Sequence, residues 1–292
     1  MKIGFVCTNY NNSSITHAAV ASLYSGRCAK DLRIVVVDNR SSDEDRTSLE
    51  SMKREYPEVE LVLNKENVGY FSGLNVGICH LQARFPEVKH MVVGNNDLVF
   101  PDTFVETLQR HGNIFEKWAV ISPDLVTPDG LHQNPLAVHP ISAIRKLVWD
   151  IHYLSYANAV IISRMAKLTR RFTVRPEKAP NSELFKIPGP IKLGYGACYI
   201  LGPIFFLHFK KLCAATFMMS EEFFLSEQLR RIGQMPYYDP RFIVTHYDHT
   251  SMGQIPGRRQ WQIARDAHRI YKYYLSMSTD ERAHFVAAAS GD

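Results

Sequence analysis

Three short clusters in this chain combine carboxylates, amides or imidazoles at a spacing that could do chemistry. The first is Gly94-Asn95-Asn96-Asp97, where a brief apolar run, Met91 to Val93, stops at a carboxylate flanked by amides. Such a carboxylate can hold a hard divalent cation while the amides beside it hold hydroxyl groups. The same residues also suit an Asn-Asn-Asp turn capping a helix after Pro101. The second is Glu221-Glu222, directly after Ser220 as a candidate N-cap and ahead of Phe224, Leu225 and Leu229, with Gly233 as a helix stop. Acids in a first helical turn are favoured by the helix dipole alone, at about 0.3–1 kcal/mol each. That placement also keeps a carboxylate ionised and ready to take a proton. The third is His246-Tyr247-Asp248-His249, which could ligate a metal or be an ordinary loop.

The elements around these clusters say where they must sit. Lys2 to Cys7 predicts a first strand, ending in Thr8-Asn9-Tyr10-Asn11-Asn12, small polar groups able to hydrogen-bond a flat heterocycle. A helix from about Ser14 to Ser25 follows. Leu32 to Val37 is apolar throughout, as a strand buried on both faces would be, and ends in Asp38-Asn39-Arg40-Ser41-Ser42-Asp43. A charged helix to about Tyr56 leads to a third strand, Val59 to Leu63, and Lys89 to Val93 makes a fourth. This alternation predicts a doubly wound, mostly parallel α/β sheet with right-handed crossovers. In such sheets ligands bind beyond the carboxyl ends of the strands, where these polar clusters fall. Between strands three and four, Gly69, Gly73 and Gly77 are spaced by four, so on a helix they would form one smooth face for a ligand or for the sheet.

Asp102 to Glu116 predicts a helix and Trp118 to Ser122 a fifth strand, followed by a Thr-Pro-Asp-Gly turn at 127–130. The pattern then changes. From His139 to about Lys178, Ile, Leu, Val, Trp149, Tyr153 and Tyr156 mix with Arg164, Lys167, Arg170, Arg171, Arg175 and Lys178, against one acid, Glu177. This is either a solvated helix pair or a basic amphipathic insertion lying on an anionic membrane surface. Pro180, Pro188 and Pro190 mark a loop after it, and Arg258 to Ser278 predicts a Tyr-rich basic helix that packs on the main body or reaches the membrane. The expected organisation is one domain over 1–256, with insertion and loop at 139–192, and a helical extension over 257–292.

Composition narrows the classes. With 34 Lys and Arg against 29 Asp and Glu the chain is only mildly basic, and no zinc-finger, RNA-recognition or basic-zipper pattern supports nucleic acid as a partner. Five cysteines without a Cys-x-x-Cys pair point to a reduced, cytoplasmic compartment. The N-terminus has no signal-peptide layout, and no apolar run reaches membrane-span length.

From Lys2 to about Ser251 the sequence resembles the inverting family 2 glycosyltransferases, which have the GT-A fold. The likeness rests on an ordered set of features. These are Thr8-Asn9-Tyr10, Val37-Asp38-Asn39-x-Ser41-x-Asp43, Asn67-Val68-Gly69-Tyr70-x-x-Gly73-x-Asn75 and Asn95-Asn96-Asp97, then Gly196-Ala197-Cys198 and Glu221-Glu222. The resemblance implies a GT-A-type sheet with a Rossmann-like nucleotide-binding half. It implies that Thr8, Asn9, Tyr10 and Asp38 hold the base and ribose, and that Asn67, Gly69 and Asn75 shape the nucleotide pocket. Asn95 and Asn96 would touch the ribose or donor sugar, and Gly196, Ala197 and Cys198 the acceptor. Asp97 would ligate Mg²⁺ or Mn²⁺ with His246 or His249, and Glu222, beside Glu221, would be the general base. Two departures stand out: Asn95 replaces a carboxylate, and Glu222 stands where many members have Asp.

The implied reaction moves a sugar from a nucleotide diphosphate sugar, uridine or thymidine ahead of guanosine, to a hydroxyl of a glycan or lipid-linked glycan in cell-surface polysaccharide synthesis. That would place the protein in the cytoplasm or peripherally on the inner membrane face. Nucleotidyltransferases share the sheet-edge logic but need a Gly-rich basic phosphate loop, which Thr8 to Asn12 lacks. The remaining alternative is a non-catalytic nucleotide-sugar or glycan-binding protein of the same fold, suggested by the missing carboxylate at Asn95.

Overall fold

The computed structural model describes residues 1–136, 142–169, 183–247 and 257–291. The first part alternates strand and helix: β1 (Ile3–Asn9), α1 (Ser13–Tyr24), β2 (Leu32–Asp38), α2 (Asp43–Glu55), β3 (Glu60–Leu63), α3 (Tyr70–Arg84) and β4 (His90–Gly94). There follow β5 (Leu98–Val99), α4 (Phe104–Arg110), β6 (Val120–Val126), α5 (Ala143–Leu154) and α6 (Tyr156–Thr169). The rest is β7 (Gly189–Pro190), β8 (Cys198–Leu201), α7 (Pro203–His208), α8 (Glu221–Arg230), β9 (Tyr237–His246), α9 (Gly257–Ser276) and α10 (Thr279–Ser290).

The described strands form one sheet in the order β3-β2-β1-β4-β8-β6-β9-β5, with β7 on β9. From β3 to β4 it is parallel, as the alternation predicts. Alternate residues of each strand feed opposite apolar layers. Ile3, Phe5, Cys7, Ile34 and Val36 pack with α1, α2 and α4, whereas Val6, Val35 and Val37 pack with Phe71, Leu74, Ile78 and Leu81 of α3. Full burial of each such side chain contributes about 1.5–3 kcal/mol, which is why β2 tolerates no polar residue from Ile34 to Val37.

Several expectations are corrected here. Asn95 to Asp97 cap no helix; they lead into β5, which pairs antiparallel with β9. β8 enters antiparallel between β4 and β6, which makes this part of the sheet mixed rather than parallel. The helix expected over 102–116 ends at Arg110 and continues as a 3₁₀ turn from Gly112 to Glu116. Gly73 and Gly77 face the sheet: a Cβ on Gly77 would come within 2.3 Å of Val6 Cγ1, and one on Gly73 within 2.7 Å of Thr8 Cγ2. Their smooth face serves close helix-on-sheet packing. Ser220 occupies the N-cap position of α8 but in a left-handed conformation (φ 67°) without a side-chain cap.

The C-terminal extension holds a second helix, α10, opened by a capping box between Ser278 and Glu281. Tyr274 and Val286 share a core cluster with Cys213 and Phe224 of the main body. In the insertion, α5 and α6 cover the residues read as a helix pair. Arg170, Arg171, Arg175, Glu177 and Lys178 lie outside the described residues. No helix among the described residues is long and apolar enough to cross a membrane.

Candidate active site

The parallel registers Asn9↔Asp38 and Cys7↔Gly94 bring the carboxyl ends of β1, β2 and β4 level with one another. Beyond them opens a cavity of about 470 Å³. Behind its floor lies a buried amide network. Asn9 Nδ2 donates to Asp38 Oδ1 (3.2 Å), Ser41 Oγ (3.1 Å) and Asp45 Oδ2 (2.7 Å), and Thr16 Oγ1 donates to Asn9 Oδ1 (2.7 Å). Asn96 Nδ2 in turn donates to Thr16 Oγ1 (2.7 Å) and Asn12 Oδ1 (2.8 Å). Asp38 is fully buried, ion-paired with Arg46 Nε at 2.7 Å, and accepts from the backbone N–H of Ser41. These bonds fix the loops after β1 and β2 in place before any ligand arrives.

Across the cavity floor, antiparallel pairing of Leu98 with His246 sets His246 beside Asp97. Both side chains are almost fully buried, and His246 Nε2 lies 3.2 Å from Asp97 Oδ1. Neither atom has a hydrogen-bond partner among the described residues. His246 Nδ1 faces Gln133 Oε1 at 2.6 Å, and a carbonyl oxygen only accepts, so the ring proton belongs on Nδ1. That leaves the Nε2 lone pair pointing at a carboxylate. A buried polar atom left unsatisfied costs about 1–3 kcal/mol. A divalent cation between the two atoms relieves both costs at once, with Gln133 orienting the imidazole from behind. Among the described residues no group of three or more His, Cys, Asp and Glu side chains is arranged to hold a metal ion. The donor set therefore fits a cation that completes its coordination with ligand and water oxygens, as Mg²⁺ does. His249 lies outside the described residues.

Glu221 and Glu222 enter the same cavity from the first turn of α8. Consecutive left-handed residues, Met219 and Ser220, aim that turn inward. Each non-glycine in that conformation costs roughly 1–2 kcal/mol, so the surrounding packing must hold it. Thr216 Oγ1 donating to Met219 O (2.7 Å) is part of that hold. Glu221 is almost fully buried and its Oε1 has no partner among the described residues. Burial first, and the neighbouring Glu222 second, push its carboxyl up to about 8; burial raises Glu222 as well. A raised pKa means that the folded state keeps a proton that the unfolded chain releases near 4.5. The associated stability is complete below pH 4.5 and is lost as pH rises to about 8. In chelator-treated protein the wild-type Tm should therefore fall more steeply between these pH values than that of Glu221→Gln. Parallel melting curves would refute the assignment.

Of the residues expected to touch a ligand, Thr8, Tyr10, Asn67, Gly69, Asn95 and Asn96 line the cavity. So do Asp97, Gly196, Ala197, Glu221, Glu222 and His246. Asn9, Asp38, Asn75 and Cys198 do not, and each sits in the packing behind the wall. Asn75 is committed elsewhere: Nδ2 donates to Leu212 O (2.9 Å) and Oδ1 accepts from Leu212 N (2.8 Å). Asn75→Ala strands both buried backbone groups and should cost about 1–3 kcal/mol in a urea titration without changing ligand affinity. Sequence reasoning missed Phe217, Met219 and Arg259 on the wall, and Gln133 behind His246. Phe217 is there because its carbonyl accepts from Tyr70 N (2.9 Å) and a Cβ on Gly69 (φ 89°) would lie 2.2 Å from that oxygen. So close an approach needs glycine, which was the one available signal.

A mostly parallel α/β sheet with a nucleotide-sized cleft at its strand ends defines a GT-A-type protein. Residues 5–126 match the family described as glycosyl transferase family 2. Among solved structures, GalNAc-T7 with UDP, GalNAc and Mn²⁺ superposes with a TM-score of 0.58 at 13% identity, covering 86% of this chain and 44% of that one. The mannosyltransferase PcManGT from Pyrobaculum calidifontis, with GDP-Man and Mn²⁺, gives a TM-score of 0.52 at 13% identity, covering 99% and 73%. At these identities the likeness concerns the fold, and this chain spans less than half the length of GalNAc-T7. No curated protein matches the chain in sequence.

Proposed function

We propose that this chain is an inverting glycosyltransferase that moves a sugar from a nucleotide diphosphate sugar to an acceptor hydroxyl on a glycan or lipid-linked glycan. The observation that carries this reading is the pairing of two buried atoms without a hydrogen-bond partner among the described residues, Asp97 Oδ1 and His246 Nε2, with Glu221 and Glu222 across one cavity. Asp97 and His246 would hold Mg²⁺ or Mn²⁺; such an ion, when bound, neutralises charge on a diphosphate leaving group as a Lewis acid. Tyr10, half-exposed at the cavity edge, offers a face to a base, and Asn11 and Asn67 offer amides to base and ribose. Arg259, from the first turn of α9, brings a positive charge to a wall that otherwise carries carboxylates. It suits a phosphate.

Glu222 accepts the acceptor hydroxyl's proton as the new glycosidic bond forms. In-line attack from the face opposite the diphosphate inverts the anomeric carbon, so a single base suffices. Glu221 beside it, held protonated by burial, spares the site a second buried negative charge. The UDP of GalNAc-T7 and the GDP-Man of PcManGT leave the base open for this chain. The test is a thermal-shift panel of uridine, thymidine and guanosine diphosphate sugars with and without manganese, followed by product analysis with the donor that binds. A manganese-dependent shift with one donor, and transfer or hydrolysis of that donor, are expected. No shift with any donor would overturn the reading; binding without turnover would convert it to a non-catalytic binder.

A further inference from the structure

We propose that the α5–α6 hairpin, together with the outer face of α9, lies on an anionic lipid bilayer and presents the active cleft to it. This deepens the glycosyltransferase reading by stating where the acceptor is met, and it relies on that reading only for the acceptor's chemistry.

The α5 helix is amphipathic the wrong way round for a helix serving a protein core. Ile144, Leu147, Val148, Ile151 and Leu154 fall within one stripe at helical spacing, and all are exposed, Ile144 at 76% and Leu154 at 75%. Behind the stripe, α5 is tied to α9 by polar contacts. Asp150 pairs with His268 Nε2 (2.8 Å) and Lys272 Nζ (2.9 Å) of α9, and the His152 carbonyl accepts from Trp261 Nε1 (3.2 Å). α6 adds Ile161 and Met165, 56% and 62% exposed. An apolar stripe held outward by polar contacts behind it is a built surface for a non-aqueous phase.

Charge selects the occupant. Over 142–169 and 257–276 the chain carries nine Lys and Arg against two acids, Asp150 and Asp266. Both acids are already paired, Asp266 with Arg265 at 2.9 Å. A second copy of this chain would bring the same excess positive charge to the contact, whereas an anionic headgroup layer attracts it. The surface is also coupled to the cleft. Arg259 and Ile263 of α9 line the cavity, while Trp261 between them donates to α5 and meets Tyr156 of α6 edge-on at 5.7 Å. One helical turn thus touches both the apolar stripe's support and the cleft wall.

The test is co-sedimentation of the full chain with phosphatidylglycerol-rich vesicles and with pure phosphatidylcholine vesicles, at low and high salt. It is repeated on Leu147→Glu combined with Ile151→Glu, two exposed positions whose replacement leaves the packed face intact. Wild type should partition onto the anionic vesicles at least about tenfold more than onto the neutral ones, and the double variant should lose at least about tenfold. Absence of sedimentation at low salt, or unchanged sedimentation of the double variant, overturns the proposal. So does a dimer that the same substitutions dissolve. The donor-induced thermal shift is read on the same samples. A retained shift with failed vesicle binding sinks the membrane proposal alone. Vesicle binding without any donor shift sinks the glycosyltransferase reading alone.

Discussion

Replacing Asp97 with Asn is expected to remove manganese-dependent donor binding and to lower kcat/KM by about a thousandfold. Asn keeps the shape of the side chain, so the pocket and the β5–β9 pairing beside it should stand. What disappears is the charge that a cation needs. Loss of a few kcal/mol of electrostatic stabilisation, at 1.36 kcal/mol per decade, corresponds to that factor. A second readout separates ligation from structure. Without metal, wild type buries an Asp97 oxygen with no hydrogen-bond partner among the described residues, 3.2 Å from an imidazole lone pair. The side-chain amide that Asp97→Asn introduces can donate to that lone pair. In chelator the variant's Tm should therefore equal or exceed wild type, while added manganese should raise only the wild-type value. Calorimetric titration of manganese and donor, with melting curves, checks both halves. A variant that still shows a manganese-dependent donor shift would remove Asp97 from the metal site.

The second large effect is expected at Glu222. Glu222→Gln should bind donor as wild type does and turn over about 100-fold more slowly or worse, the usual contribution of a positioned general base. The geometry behind this is specific. Glu222 lies against Gly196, where an added Cβ would come within 3.4 Å of its carboxylate, so the backbone beside it leaves room for an acceptor. Burial raises its pKa, which makes it a stronger base than a surface carboxylate. The wild-type rate should accordingly climb with pH through a value above the ordinary Glu range, and that limb should vanish in Glu222→Gln. Glu221→Gln provides the contrast: burial of Glu222, the cause of its raised pKa, is unchanged there, so the limb should remain. Wild-type turnover in Glu222→Gln, or an unchanged pH profile, would assign the proton to another group.

Much of this site was visible in the chain before any coordinates. Thr8 to Asn12, Asp38 to Asp43 and Asn95 to Asp97 each interrupt an apolar run, and a parallel sheet must deliver all such interruptions to one edge. Glu221 and Glu222 were legible for a similar reason: an apolar stripe and a glycine stop define where their helix begins. The reading was weaker wherever a polar side chain has two possible employers. Asn75 and Asp38 sit in the quoted motifs as ligand contacts, yet Asn75 satisfies the backbone of Leu212 and Asp38 is taken by Arg46 and Ser41.

From β1 to β4, then, local order was determined by the sequence alone: which segments form strands and helices, and which polar groups end them. That information is carried by spacing within a dozen residues, through side-chain periodicity and caps. The tertiary structure decided which of those ends meet. β8 running antiparallel between β4 and β6, Gln133 behind His246, and His246 opposite Leu98 all join residues far apart in the chain. Such pairings are chosen by which arrangement satisfies buried hydrogen bonds and fills the core, and no local periodicity records them. At Asp97 the difference matters most: its position at a strand end was written in the chain, whereas its buried approach to His246 Nε2, 3.2 Å away, is set only by the fold.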